Sequence, residues 1–340
     1  SKSTFEILDF FTFSIFIVNE LLLAKLQINF DQIKYILMRF LVTGATGLIG
    51  KKITEIILNR GDKLSVLTTN KNYITNSSIS IDYYYWNPEF GIIDENCIEG
   101  VDIVINLAGS PIAQLWTRKT KKSILKSRVN SVNLLNKIIL NDKKGQIKQF
   151  ACASAIGIYA SNMDIEFCEN SKFFSKSFLG ETVRKWEDSC VSIEKSNIKV
   201  LKFRIGLVLS MDGGLLKPIA LLTKNFLGTW FGDGKNYYSW IHLDDIARSI
   251  IFLIDNKKEG IYNLVAPNPV SNKNFVLEIA KLYKTKVILP SIPKKIIKFI
   301  TGQMSELIMF NQKVSSKKLL SEGFIFKYIE LKSALQNLLK

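Results

Sequence analysis

The stretch RFLVTGATGLIGKKITEIILNRG, residues 39 to 61, changes its period in the middle. Its first five residues are a short apolar run ended by glycine. From Leu48 on, the positions Leu48, Ile49, Ile53, Ile56, Ile57 and Leu58 fall at helical spacing before Gly61. Strand, turn and helix follow in that order, and the turn is Gly44-Ala45-Thr46-Gly47-Leu48-Ile49-Gly50. In such a turn Gly44 permits the tight bend, Gly47 lets backbone amides approach a pyrophosphate, and Gly50 lets the helix pack close to the strand, while the helix N-terminus adds partial positive charge. A G-x-x-G-x-x-G run between strand and helix therefore predicts a dinucleotide site; an ordinary glycine-rich turn is the alternative that this context disfavours.

Outward from this unit, KLSVL (63 to 67), DIVINLAG (102 to 109) and KQFACAS (148 to 154) read as further strands separated by helical patterns. That alternation predicts a doubly wound Rossmann α/β fold, a parallel sheet with right-handed crossovers and helices on both faces. After KVLKFRIGLVLS (199 to 210) it loosens into DGGLL, LGTWFGDGK and APNPVSN. The expected organisation is an N-terminal extension over 1–37, a dinucleotide-binding domain over 38–210 and 241–266, and a smaller C-terminal substrate lobe over 211–240 and 267–340. In this reading WIHLDDIARSIIFLI returns to the sheet.

The chain has 340 residues, 47% of them hydrophobic, and a formal net charge of +16. Its lysines are scattered, and pairs such as Lys294-Lys295 and Lys317-Lys318 lack interleaved aromatics, so a solvated basic surface is expected and no nucleic-acid partner. Cys97, Cys152, Cys168 and Cys190 form no C-x-x-C, and His242 is the sole histidine, which excludes a Cys/His metal site and points to reduced thiols. The expected location is cytoplasmic, with an organellar stroma as the alternative. FFTFSIFIV, residues 10 to 18, is bounded by Asp9 and Asn19-Glu20 and falls far short of the ~20 residues of a membrane span, so no stable membrane anchor is expected. Met38 directly precedes the first strand, so the natural product either begins there or carries a peripheral helix before it. A homodimer is a possible assembly.

At the end of the second strand, where NAD enzymes offer a carboxylate to the ribose hydroxyls, the chain reads LTTNKN. No acid stands among Thr68, Thr69, Asn70, Lys71 and Asn72, which favours NADP (NADPH) as cofactor. Lys71 is either the partner of the 2′-phosphate or an idle surface lysine.

VTGATGLIG, VDIVINLAGSPI, LWTRKTKKSILKSRVNSV, SAIGIY, RIGLVLSMDGGLL, SWIHLDDIA and GIYNLVAPNPVSN, in this order, resemble the atypical short-chain dehydrogenase/reductases known as epimerase family proteins. The resemblance runs from about residue 38 to residue 337, and the tail, with PSIPKKIIKFITGQMSELI and GFIFKYIELKSAL, is similar to the domain of unknown function that closes those proteins. It implies that Thr46, Leu48, Thr68, Thr69, Leu107, Ala108, Gly109, Arg128 and Arg204 line the cofactor cleft. Relatives usually carry arginine at position 69; here Thr69 would pass that role to Lys71.

Related extended reductases place Tyr-x-x-x-Lys on one helix, so that a tyrosine of lowered pKa can exchange a proton with the substrate, with a glutamate four residues further on. Registering that glutamate on Glu187 of FFSKSFLGETVRKWE (173 to 187) puts Val183 at the lysine position and Leu179 at the tyrosine position, and both are inert. The spacing Tyr328 to Lys332 recurs only in the last segment, where chance explains it. A proton donor must come from elsewhere. Ser154 and Tyr159 either reach a substrate oxygen near the nicotinamide or merely satisfy loop backbone and pack beneath the second lobe. Trp240 and His242 are substrate-lining candidates, although the segment also resembles a helix entry in which an aspartate caps the N-terminus. Arg204 would hold a substrate phosphate or carboxylate, or the cofactor edge.

Two functions fit this sequence. One is an NADP-dependent oxidoreductase or nucleotide-sugar epimerase-like enzyme acting on a small-molecule substrate of unknown identity. The other is a non-catalytic NADP-binding regulator, for which the resemblance supplies a precedent in cell or plastid division.

Overall fold

The computed structural model describes residues 37–76, 80–142 and 144–339. The expectations about the apolar run at 10 to 18 lie outside these residues. Among the described residues no helix is long and apolar enough to cross a membrane.

Eight strands form one sheet: β1 (Arg39–Thr43), β2 (Lys63–Thr68), β3 (Ile81–Asn87), β4 (Ile92–Ile93), β5 (Ile103–Asn106), β6 (Gln149–Ala155), β7 (Lys199–Ile205) and β8 (Gly260–Leu264). They lie in the order β8-β7-β6-β5-β1-β2-β3-β4, all parallel except the edge strand β4, which runs antiparallel to β3. From β1 the chain builds outward through β2 and β3, then returns to β1's other side at β5 and builds the opposite way. That reversal opens a crevice at the carboxyl ends of β1 and β5, where Thr43 stands opposite Asn106.

Helices α1 (Leu48–Asn59), α2 (Arg118–Leu140) and α3 (Phe178–Asp188) cover the sheet. Ile53 and Ile57 of α1 and Val132 and Leu135 of α2 are fully buried, each side chain stabilising the fold by about 1.5–3 kcal/mol. Helices α4 (Leu216–Lys224), α5 (Leu243–Asp255), α6 (Asn272–Tyr283), α7 (Lys294–Thr301) and α8 (Leu331–Leu338) follow, and a second core gathers under α4, α6 and α8. It joins Leu216, Trp240, Phe275, Ile279 and Leu335.

Two features differ from the sequence reading. WIHLDDIARSIIFLI does not itself enter the large sheet: Trp240–His242 pairs with Leu207–Leu209 in a separate two-stranded sheet, the rest is α5, and Gly260–Leu264 supplies the edge strand. The strand β3, IDYYYWN, also goes beyond that reading, because it lies near the sheet's edge with most of its side chains half-buried and so shows no apolar run.

Candidate active site

The first turn after β1 is built by exclusion. Gly44 has φ +68°, a left-handed conformation that side chains rarely adopt, and a Cβ there would lie 2.8 Å from the Leu107 carbonyl oxygen. A Cβ on Gly50 would lie 2.1 Å from the Gly44 oxygen, so the helix can approach the strand only with glycine at that position. Gly47 differs: it is exposed, has φ −74°, and a Cβ would meet only the Gly44 oxygen at 3.2 Å. The fold itself constrains this position less than 44 or 50. Gly47 occupies the N-cap of α1 and supplies no side-chain hydrogen bond, and the helix's first turn holds no acid, so the N–H groups and positive end of the helix dipole remain open toward the crevice.

A polar latch joins this turn to the loop after β5. Thr43 Oγ1 donates to Asn106 Oδ1 at 2.7 Å and accepts from the backbone N–H groups of Leu107 and Ala108, each at 3.1 Å. Both side chains are fully buried. Leu107, Ala108 and Gly109 are thereby fixed beside Gly44. Arg128 lies behind Gly109, donating to the carbonyls of Ser110 (3.2 Å) and Ile124 (3.0 Å) with its guanidinium 5.2 Å from the Trp186 ring centroid. Burial pulls its pKa down to about 10, so it remains cationic at neutral pH.

These loops border a cleft of about 820 Å³. Its lining includes Gly44, Ala45 and Thr46 of the first turn, Thr68 and Thr69 at the end of β2, Tyr83 of β3, and Ala108, Gly109 and Ser110 of the loop after β5. No carboxylate stands at the end of β2; among the described residues Glu89, in the loop after β3, is the one acid on the lining. Lys71 sits just outside, its Nζ 5.0 Å from the centroid of the Tyr85 ring. A stripe of α2, including Lys119, Lys122, Ser123, Lys126 and Ser127, also lines the cleft. The sequence RKTKKSILKSR carried this signal in the spacing of its lysines, one helical face recurring every three or four residues.

The groups expected near the substrate are arranged differently. Glu187 of α3 forms a bidentate pair with Arg204 of β7, Arg204 Nε donating to Oε1 at 2.9 Å and Nη2 to Oε2 at 2.8 Å. Their side chains are only 8% and 3% exposed. Ser154 donates its hydroxyl to the same Glu187 Oε1. Tyr159, fully buried, accepts from Arg204 Nη1 at 3.0 Å and donates to Asn263 Oδ1 at 2.7 Å. Burial, opposed by the nearby guanidinium, pushes the Tyr159 phenol up to about 12. Burial pulls the Arg204 guanidinium down, but its bonds to Glu187 outweigh this and leave it above its ordinary value. Ser154, Tyr159 and Arg204 therefore complete an internal network and none lines the cleft. Leu179 and Val183, on the same face of α3 as Glu187, are buried as well.

Trp240 and His242 also turn inward. Trp240 Nε1 donates to the Asn268 carbonyl at 2.9 Å, and its side chain is fully buried. His242 is itself the N-cap of α5: Nδ1 accepts from the Asp244 N–H at 3.0 Å, a role the sequence reading gave to an aspartate. Nδ1 must then be unprotonated, and burial accordingly lowers the pKa although Asp244 opposes it. The ring stacks on Tyr328 at 3.9 Å between centroids, which also accounts for the tyrosine of the chance Tyr-x-x-x-Lys spacing. Asp245 instead accepts from the Lys327 and Tyr328 N–H groups, both at 2.8 Å, and ties the C-terminal segment to α5. Among the described residues no cluster of three or more acids, histidines and cysteines could hold a metal ion.

Comparison with known proteins matches residues 40–264 to the model of the NAD dependent epimerase/dehydratase family and residues 292–338 to a domain of unknown function, DUF1731. The chain is 34% identical over 304 residues to the epimerase family protein YfhF of Bacillus subtilis, covering 89% of this chain and 98% of that protein. It is 33% identical over 304 residues to the epimerase family protein SERP0438 of Staphylococcus epidermidis, covering 89% and 99%. The fold superposes on the human epimerase family protein SDR39U1 (isoform 2), solved with NADPH, with a TM-score of 0.77 at 23% identity, covering 88% of this chain and 99% of that one.

Proposed function

The chain belongs to the NAD dependent epimerase/dehydratase family, and from that premise we propose that it binds NADP(H) in the cleft between the β1 and β5 loops, reducing a carbonyl substrate with NADPH or oxidising a hydroxyl substrate with NADP+. The observation that carries this reading is the cradle itself. Glycines are sterically required at 44 and 50, an exposed glycine stands at 47, and the end of β2 facing the cleft has no carboxylate. A 2′-phosphate is repelled by an acid at that position and accepted without one. The family resemblance and the NADPH bound by the human structural neighbour support the same choice.

The chain's own residues divide the work as follows. The open N–H groups at the start of α1 would hold the pyrophosphate, Thr68 and Thr69 would meet the adenosine ribose, and the latched Leu107-Ala108-Gly109 loop would flank the middle of the dinucleotide. The nicotinamide, when bound, supplies or accepts a hydride. The hydroxyls that line the cleft, those of Ser110 and Ser123 among them, or a water, would then carry the proton, since Ser154 and Tyr159 are committed to internal partners and Ser127 donates its hydroxyl to the Ile124 carbonyl.

That same commitment supports a second reading, a protein that binds NADPH without turnover and acts as a regulator. Loss of a positioned general acid is worth roughly 10² to 10⁴ in rate. The two readings separate on one experiment: calorimetric titration with NADPH and NADH, followed by NADPH oxidation against a panel of ketones, aldehydes and nucleotide sugars. Tight NADPH binding with turnover of at least one class supports the enzyme; tight binding with none supports the regulator. No binding of either dinucleotide would overturn both.

A further inference from the structure

The first eleven residues of α2, RKTKKSILKSR, hold six cations and no acid. They occupy the helix end whose dipole is already positive, where cations are unfavourable, and Lys122 and Lys126 repel at i, i+4 spacing. Folding alone disfavours this arrangement. Two of the six are engaged within the protein: Lys121 contacts Gln303 and lies over the Phe178 ring, and Arg128 is bound to backbone carbonyls. Lys119, Lys122 and Lys126 share one face, are exposed, make no ion pair among the described residues, and line the same cleft as Thr68 and Thr69. Against them the lining offers, among the described residues, a single carboxylate, Glu89. Lys71, the nearest lysine in sequence to the end of β2, lies outside the lining and over Tyr85.

We infer that the Lys119–Lys122–Lys126 row of α2 is a phosphate-binding wall that discriminates NADPH from NADH, taking the adenosine 2′-phosphate in place of Lys71. The inference rests on the cofactor reading above and deepens it. The pyrophosphate of either dinucleotide is served by the α1 N-terminus, so the additional dianion is what the uncompensated row can attract. A local conflict of charge in a helix that lines a cleft is the kind of departure that a bound partner relieves.

The test measures NADPH and NADH affinities by calorimetry for the wild type, for the combined Lys119→Gln, Lys122→Gln and Lys126→Gln variant, and for Lys71→Ala. Thermal melting without ligand runs alongside. The wild type is expected to prefer NADPH. The triple variant should lose that preference by about ten-fold while NADH affinity stays within about three-fold, and should melt no lower than the wild type, because like-charge repulsion is removed. The NADPH preference should also fall as salt is raised. An undiminished preference in the triple variant, or a preference abolished by Lys71→Ala alone, would overturn the inference while leaving the cofactor site intact. Failure of the wild type to bind either dinucleotide would instead remove the cofactor reading beneath it.

Discussion

Replacing Glu187 by Gln tests whether the Glu187–Arg204 pair is internal architecture or part of a working site. The substitution keeps shape and removes one charge, leaving the Arg204 guanidinium, 3% exposed, without a counter-ion. It also changes the acceptor of the Ser154 hydroxyl and weakens the anchor of an arginine that bonds Tyr159. Removing one partner of a buried ion pair costs about 3–5 kcal/mol, because the remaining charge pays its desolvation without repayment. At roughly 2 °C per kcal/mol for a domain of this size, the melting temperature should fall by about 6 to 10 °C. The double change Glu187→Leu with Arg204→Met should recover part of that loss, since an apolar pair needs no charge compensation while the Ser154 hydroxyl loses its acceptor and Tyr159 a donor. Guanidinium unfolding and thermal melting measure stability, and calorimetry measures NADPH affinity in the same samples. Affinity should stay within about three-fold, since neither residue lines the cleft. A loss of less than 1 kcal/mol in the single variant, or a drop in NADPH affinity without a drop in stability, would refute the reasoning and return Arg204 to the cofactor edge.

Gly47→Val should abolish binding of both dinucleotides yet leave a folded protein, because its Cβ meets only one atom within 4 Å, whereas Gly50→Ala should unfold or strongly destabilise the domain, its Cβ falling 2.1 Å from the Gly44 oxygen; circular dichroism and titration separate the two. His242 has a pKa below its ordinary 6.5, so the unfolded chain takes up the proton first. Its contribution is present above about pH 6.5 and is lost as pH falls from there through the lower folded value, and the difference in melting temperature between wild type and His242→Asn should shrink over that range. An unchanged difference between pH 7.5 and 5 would count against the N-cap role. Tyr159→Phe should cost about 1–3 kcal/mol by leaving Asn263 and Arg204 each short of a partner, with NADPH affinity unaltered; a stability change near zero would show the phenol to be free.

Much of this molecule is readable from local sequence because the signals are themselves local. The period change at Thr43, the glycines at 44, 47 and 50 and the helix that follows act on neighbours within one turn, and strand, turn and helix formed at those residues. The same holds for the acid-free LTTNKN at the end of β2. What the chain order could not reveal is which way a polar side chain faces. Ser154, Tyr159 and Arg204 sit on adjoining strands or just beyond their ends, as a catalytic group would, but Glu187 and Asn263 lie 33 and 104 residues from the hydroxyls they bind. Only the packing of α3 and β8 against that edge makes burial of those polar groups less costly than exposure, since each then finds a partner. The α2 lysines show the converse. Their spacing is written in RKTKKSILKSR, but a lysine stripe reads as solvated surface until the crossover from β5 brings it to the lining of the same cleft as Thr68 and Thr69. Periodicity determines which residues share a face; the long-range crossovers decide what that face meets, and an unpaired charge acquires meaning only from what stands opposite.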